Sequence, residues 1–163
     1  MIRVAHGALA EQEVEGLLRP IRADLDPATA AARDVGLRAG PAVAERLASV
    51  GPLPVGGAVL TPGGGLPARF VVHVVTASAD EPQTAAAVHR ALRNGLARAA
   101  DWELASLALP VLGLGAGIME PEEAVRAFLD VLEEHVAEGR PPTELAIVPA
   151  SDYERELLER MLA

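Results

Sequence analysis

The stretch LALPVLGLGAGIMEPEEAV, residues 107–125, passes from apolar β-forming residues through glycines at 113, 115 and 117 into an acidic segment of helical pattern. A strand that turns at a glycine corner into a helix narrows the available folds sharply. Parallel strands all leave the sheet at one edge, and only a crossover, usually helical, returns the chain for the next strand. The same strand-then-helix order recurs at ELAIVPA (144–150) followed by SDYERELLERML (151–162).

The remaining segments fit that scheme. IRVAH (2–6) and VEGLLRPI (14–21) read as short strands, and RADLDPATAAARDVG (22–36) reads as a loop. GPAVAERLASVG (40–51) opens near Pro41, spaces Val43, Leu47 and Val50 by four and three residues and stops at Gly51, which predicts a short amphipathic helix. Two β-rich runs, 57–61 and 69–76, flank a Pro-Gly turn cluster. A helical period follows from Pro82 to about Ala100, then the strand ELASLALPVL (103–112), then a helix from Pro121 to about Ala137. Ser151 and Glu154 have capping-box spacing, which makes Ser151 a helix cap rather than a nucleophile. With 163 residues, half of them hydrophobic, the chain has the size and apolar content of one domain. The expected class is α/β, a mixed, mostly parallel sheet with helices on both faces.

Composition removes several chemistries. There is no cysteine, hence no thiolate nucleophile and no zinc–thiolate site. All 14 basic residues are arginine and the net charge is −9, a surface that repels a DNA or RNA backbone. One Trp, one Tyr and two Phe are too few for a base-stacking platform. The four histidines, 6, 73, 89 and 135, include no pair with metal-ligand spacing, and His73, among valines, reads as a core residue. No metal and no cofactor is implied. No run reaches the roughly 20 apolar residues of a membrane span and no basic-then-apolar leader opens the chain, so the expected location is the cytoplasm.

Ligands of largely parallel sheets bind where strand carboxyl ends run into helices. Glycines at 113, 115 and 117 allow φ of mixed sign, so that successive N–H groups converge on an anion, helped by the positive end of the next helix. A dinucleotide fingerprint is excluded, because residue 118 is isoleucine and the motif sits late in the chain. A P-loop is excluded by the absence of lysine.

Taken together, these motifs resemble the macrodomain family, whose members bind ADP-ribose and its derivatives. VGGAVLTPGGGLPARFVVHVV (55–75) is similar to the family's paired strands. LALPVLGLGAGIMEPEEAV is similar to its strand, phosphate-binding loop and helix, and LRAGPAVAERL (37–47) to the short helix after the first binding loop. The resemblance implies a three-layer α/β/α fold in a single domain, 1–163. It also implies that Gly113, Leu114, Gly115, Ala116, Gly117 and Ile118 wrap a pyrophosphate and distal ribose through main-chain groups.

Three departures follow from the same comparison. Ala8 stands where the family has an aspartate that accepts from the adenine amino group. LLRPIR, with Arg19 and Arg22, stands where the family has asparagines, and the only asparagine here is Asn94, inside the long helix. Asp34 and Val35 lie near the acidic and valine positions of the first loop. Arg19, Arg22 and Arg33 either offer bidentate donors to an anion in the cleft or pair locally with Asp24, Asp26 and Asp34. Asp34 is either a general base or a helix-start partner. The expected function is binding of an ADP-ribose-like, phosphorylated small nucleotide at a cleft that includes arginines. The alternatives are a hydrolase of ADP-ribosyl or nucleotide phosphate derivatives and a ligand-free scaffold.

Overall fold

A computed structural model describes residues 1–114 and 119–163. Six strands form one sheet: β1 (Ile2–Val4), β2 (Gly16–Arg22), β3 (Ala58–Pro62), β4 (Phe70–Ala77), β5 (Ser106–Pro110) and β6 (Glu144–Val148), in the order β1-β6-β5-β2-β4-β3. The first five of that spatial order are mutually parallel, and β3 runs antiparallel to β4 at the edge. The helices are α1 (Ala30–Ala39), α2 (Pro41–Val50), α3 (Ala85–Asp101), α4 (Pro121–Ala137) and α5 (Asp152–Leu162), with a short 3-10 turn at Leu9–Glu11. The expected mixed, mostly parallel α/β sheet is what forms.

Strand parity sorts the core into two layers. Leu18, Val72, Val74, Leu107, Leu109, Leu145 and Ile147 share a cluster with Val88, Leu92 and Leu96 of α3, Val125, Phe128 and Leu132 of α4, and Leu157 of α5. The alternate residues, Leu17, Val71, Ala108 and Ala146, pack with Val35 and Ala39 of α1 and Val43 of α2. The α3–α4 side therefore carries the larger side chains, and the α1 side is built from small ones.

Close approach on the first side is set by Gly95. A β-carbon there would sit 2.8 Å from Val74 Cγ1 and 2.9 Å from Leu18 Cδ1. Gly95→Leu should cost about 1–3 kcal/mol through overpacking, measured as a lowered urea midpoint.

One element was not expected. Residues 30–39, most of them within the segment 22–36 read as a loop, form α1. Thr29 caps it by accepting from the Ala32 N–H at 3.1 Å, and only Ala32, Val35 and Ala39 are buried along it. Other boundaries shift modestly: β2 extends to Arg22, β5 is confined to 106–110, and α3 begins at Ala85 behind its cap Thr84.

Candidate functional site

Because β1, β6, β5, β2 and β4 are parallel, their carboxyl ends open on one edge, and two adjoining hollows lie there. The larger, about 340 Å³, is walled by Gly7, Ala8 and Leu9 after β1, Pro110, Val111 and Leu114 after β5, and Val148, Pro149 and Ala150 after β6. It is closed by Thr29, Ala30, Ala31 and Asp34 of α1 and by Glu154 of α5. The smaller, about 180 Å³, is bounded by Pro20 of β2, Ala28, Thr29, Thr76 at the end of β4, Gln83, Val88, and 111–114. Thr29, Val111 and Leu114 belong to both, so the two form one cleft with two compartments.

Two backbone features adjoin the cleft. Gly113 has φ of +96°, a left-handed conformation that side-chain-bearing residues rarely adopt, and it turns the chain out of β5 beside the smaller compartment. The first turn of α1 leaves the N–H groups of Ala30 and Ala31 without intrahelical acceptors, next to the larger compartment. Gly115, Ala116, Gly117 and Ile118, the rest of the expected loop, lie outside the described residues.

Side chains in the cleft are mostly apolar or acidic. Asp34 Oδ1 accepts from Arg38 Nε at 3.1 Å, one turn along α1, and Glu154 Oε1 accepts from the Ala150 N–H at 3.1 Å. Ala8 lines the larger compartment. Its N–H donates to Glu11 Oε1 at 3.4 Å, and its methyl group offers a ligand no acceptor. Thr76 lines the smaller compartment, and its Oγ1 is buried without a hydrogen-bond partner among the described residues. Thr76, Gln83 and Thr29 were not anticipated, although a threonine that ends a run of valines marks the point where a strand leaves the core.

Three expected site residues sit elsewhere. Arg19 shares a face with Leu17 by strand parity and is buried under α1. Its Nε donates to the Ala32 carbonyl at 2.7 Å and Nη1 lies 3.3 Å from His73 Nδ1, and it lines neither compartment. Val35 is fully buried in the core between α1 and the sheet. Arg22 follows a β-bulge, its N–H donating to the Asp26 carbonyl at 2.8 Å, and it too is absent from both linings. The expectation of guanidinium groups aimed into the cleft is thereby corrected for Arg19, which strand parity places under α1, and Arg22 lines neither compartment. Among the described residues, local pairing joins Asp34 to Arg38 rather than to Arg19, Arg22 or Arg33.

His73 is a core residue, as its valine neighbours suggested. Arg19 donates to Nδ1, so Nε2 carries the ring proton and donates to Thr61 Oγ1 at 2.9 Å, and Thr61 in turn donates to the Pro62 carbonyl at 3.1 Å. Burial, reinforced by the Arg19 charge, pushes the His73 pKa down to about 3. Among the described residues no group of three or more His, Asp or Glu side chains is placed to hold a metal ion, and no helix is long and apolar enough to cross a membrane.

Comparison with known proteins bears on the whole chain. The family model described as Macro domain matches residues 28–128. An uncharacterized protein of Aeropyrum pernix is 30% identical over 129 residues, covering 77% of this chain and 67% of that one. A macro domain-containing protein of Caldanaerobacter subterraneus subsp. tengcongensis is 27% identical over 168 residues, 98% of this chain and 94% of the relative. The fold is similar to that of the Trypanosoma brucei macrodomain in complex with ADP-ribose, with TM-score 0.86 at 19% identity over 99% of this chain and 69% of that one.

Proposed function

The chain belongs to the macro domain family, and on that premise we propose that its strand-end cleft binds ADP-ribose or a closely related phosphorylated nucleotide. The observation that carries this reading is the two-compartment cleft itself, bent around the left-handed Gly113 and the open first turn of α1. A nucleoside fits the larger compartment, the diphosphate meets backbone N–H groups at 113 and 30–31, and the distal sugar meets Thr76 and Gln83 in the smaller one. The complex of the T. brucei macrodomain with ADP-ribose supports the ligand class.

With no arginine among the described lining residues and two carboxylates beside the cleft, the side chains do not supply the attraction for phosphate. Backbone dipoles supply it, and these act only within the first turn. Calorimetry with ADP-ribose, ADP and AMP tests the reading, with ADP-ribose expected to bind tightest. Absence of binding by all three at millimolar concentration overturns it. Ala8→Asp restores an acceptor at the family's adenine position, and should tighten ADP-ribose binding by about 1 kcal/mol, roughly five- to tenfold, while leaving ribose 5-phosphate binding unchanged.

Hydrolysis is the second reading, favoured by one observation, that Asp34 lines the larger compartment, as Leu114 does. As a general base it would have to leave Arg38. Turnover of an ADP-ribosyl ester that disappears in Asp34→Asn, with ligand binding retained, supports catalysis, and turnover that persists removes Asp34 from that role.

A further inference from the structure

Away from the cleft, on the other side of α1, a cavity of about 180 Å³ lies between α1, α2 and the sheet. Its walls are aliphatic, with Val35, Val43, Leu47 and Val71 among them, and the exposed Ala44 and Ala48 of α2 mark the side on which it meets solvent. Arg19 lines it too. This guanidinium is 7% exposed and forms no salt bridge among the described residues. One of its five N–H groups goes to the Ala32 carbonyl and one to His73, which leaves one on Nη1 and both on Nη2 without an acceptor among the described residues. Gly36 lines the cavity beside Arg19 and leaves room for Nη2 there, since a β-carbon on Gly36 would come within 2.6 Å of it.

A buried cation without a counter-ion is costly, and an anion delivered to it recovers much of that cost. We propose that this cavity is a binding site for a small apolar monocarboxylate, its carboxylate on the Nη2 edge of Arg19 and its hydrocarbon body against Val43, Leu47 and Val71. Charge matching selects the monoanion: a phosphate dianion would bring a second charge that nothing in the cavity balances. Size selects the body, because an apolar cavity of about 150 Å³ accepts benzene. Desolvation already holds the Arg19 pKa below its ordinary value, in keeping with a guanidinium short of partners. The site is separate from the strand-end cleft and does not depend on the nucleotide reading.

Benzoate and its neutral isostere benzamide are the probes, titrated into the full chain by calorimetry and by amide-resolved NMR. Benzoate is expected to bind at least about tenfold tighter than benzamide, with shifts at Gly36, Val43, Leu47 and Val71. Arg19→Met should bring benzoate down to the benzamide level. Should Arg19→Met not fold, Val43→Phe, which fills the cavity and leaves the guanidinium in place, should abolish benzoate binding. Equal affinity for acid and amide, shifts centred on 29–31 and 111–114 instead, benzoate binding unaltered in either variant, or no binding by either probe at about 10 mM overturns the proposal.

Discussion

Phe128→Ala is expected to destabilise the fold by about 3–5 kcal/mol, lowering the melting temperature by roughly 10 °C without changing the slope of the urea transition. Phe128 is the largest of the fully buried side chains and sits midway along α4, in the cluster shared by α3, α5 and the larger-residue face of the sheet. Of the other aromatics, Phe70 packs only partly buried against that cluster, while Trp102 is 56% and Tyr153 58% exposed. Aliphatic neighbours fixed to the sheet and to two helices cannot move far enough to refill a ring-sized void, so the upper part of the range applies. A measured loss below about 1 kcal/mol would mean that α4 re-seats on the sheet and that the packing described for this face is not rigid.

The same asymmetry between faces explains what could be read from the residues alone. Helices α3 and α4 announce themselves because Val88, Leu92 and Leu96, or Val125, Phe128 and Leu132, recur at helical spacing with large side chains. Helix α1 is silent by that criterion. It buries Ala32, Val35 and Ala39, carries Gly36 in its middle, and rests on Leu17, Val71, Ala108 and Ala146, so small residues meet small residues and no apolar stripe stands out. Its cap was there to see: Thr29, three residues before the Ala32 N–H it accepts from, is an N-cap residue type before an alanine run.

The cleft was legible in one wall only. Glycines at a strand-to-helix corner carry a local signature, and Gly113 has the left-handed φ that such a corner requires. The other walls come from 7–9, 29–34, 76–88 and 148–154, segments joined only by the sheet order β1-β6-β5-β2-β4, which no short motif encodes. Arg19 shows the converse. Its place in a motif suggested the cleft, whereas strand parity assigns it, with Leu17, to the α1 face, and parity prevails because a side chain in a paired strand cannot choose its side.

Arg19 also fixes the second large prediction, acid sensitivity through His73. The folded protein holds this imidazole neutral, with a pKa of about 3, because it is desolvated and accepts from a guanidinium; in the unfolded chain it titrates near 6.5. Below about pH 6.5 the unfolded state therefore takes up a proton that the native state refuses. Stability is fully present above that pH and falls as the medium is acidified, by about 1.4 kcal/mol per pH unit, down to the native pKa. Between pH 7 and pH 5, above the range where carboxylates titrate, the loss should reach about 2 kcal/mol. His89, whose pKa burial and then Arg93 also lower, adds a contribution of the same sign, so the comparison must be made between variants. His73→Gln keeps an acceptor for Arg19 and a donor for Thr61 but cannot titrate. Urea denaturation of the two proteins at pH 7 and pH 5 should show the variant losing about 2 kcal/mol less than the parent. Equal losses would mean that His73 is protonated in the native state, which Arg19 lying 3.3 Å from its Nδ1 forbids in the geometry described.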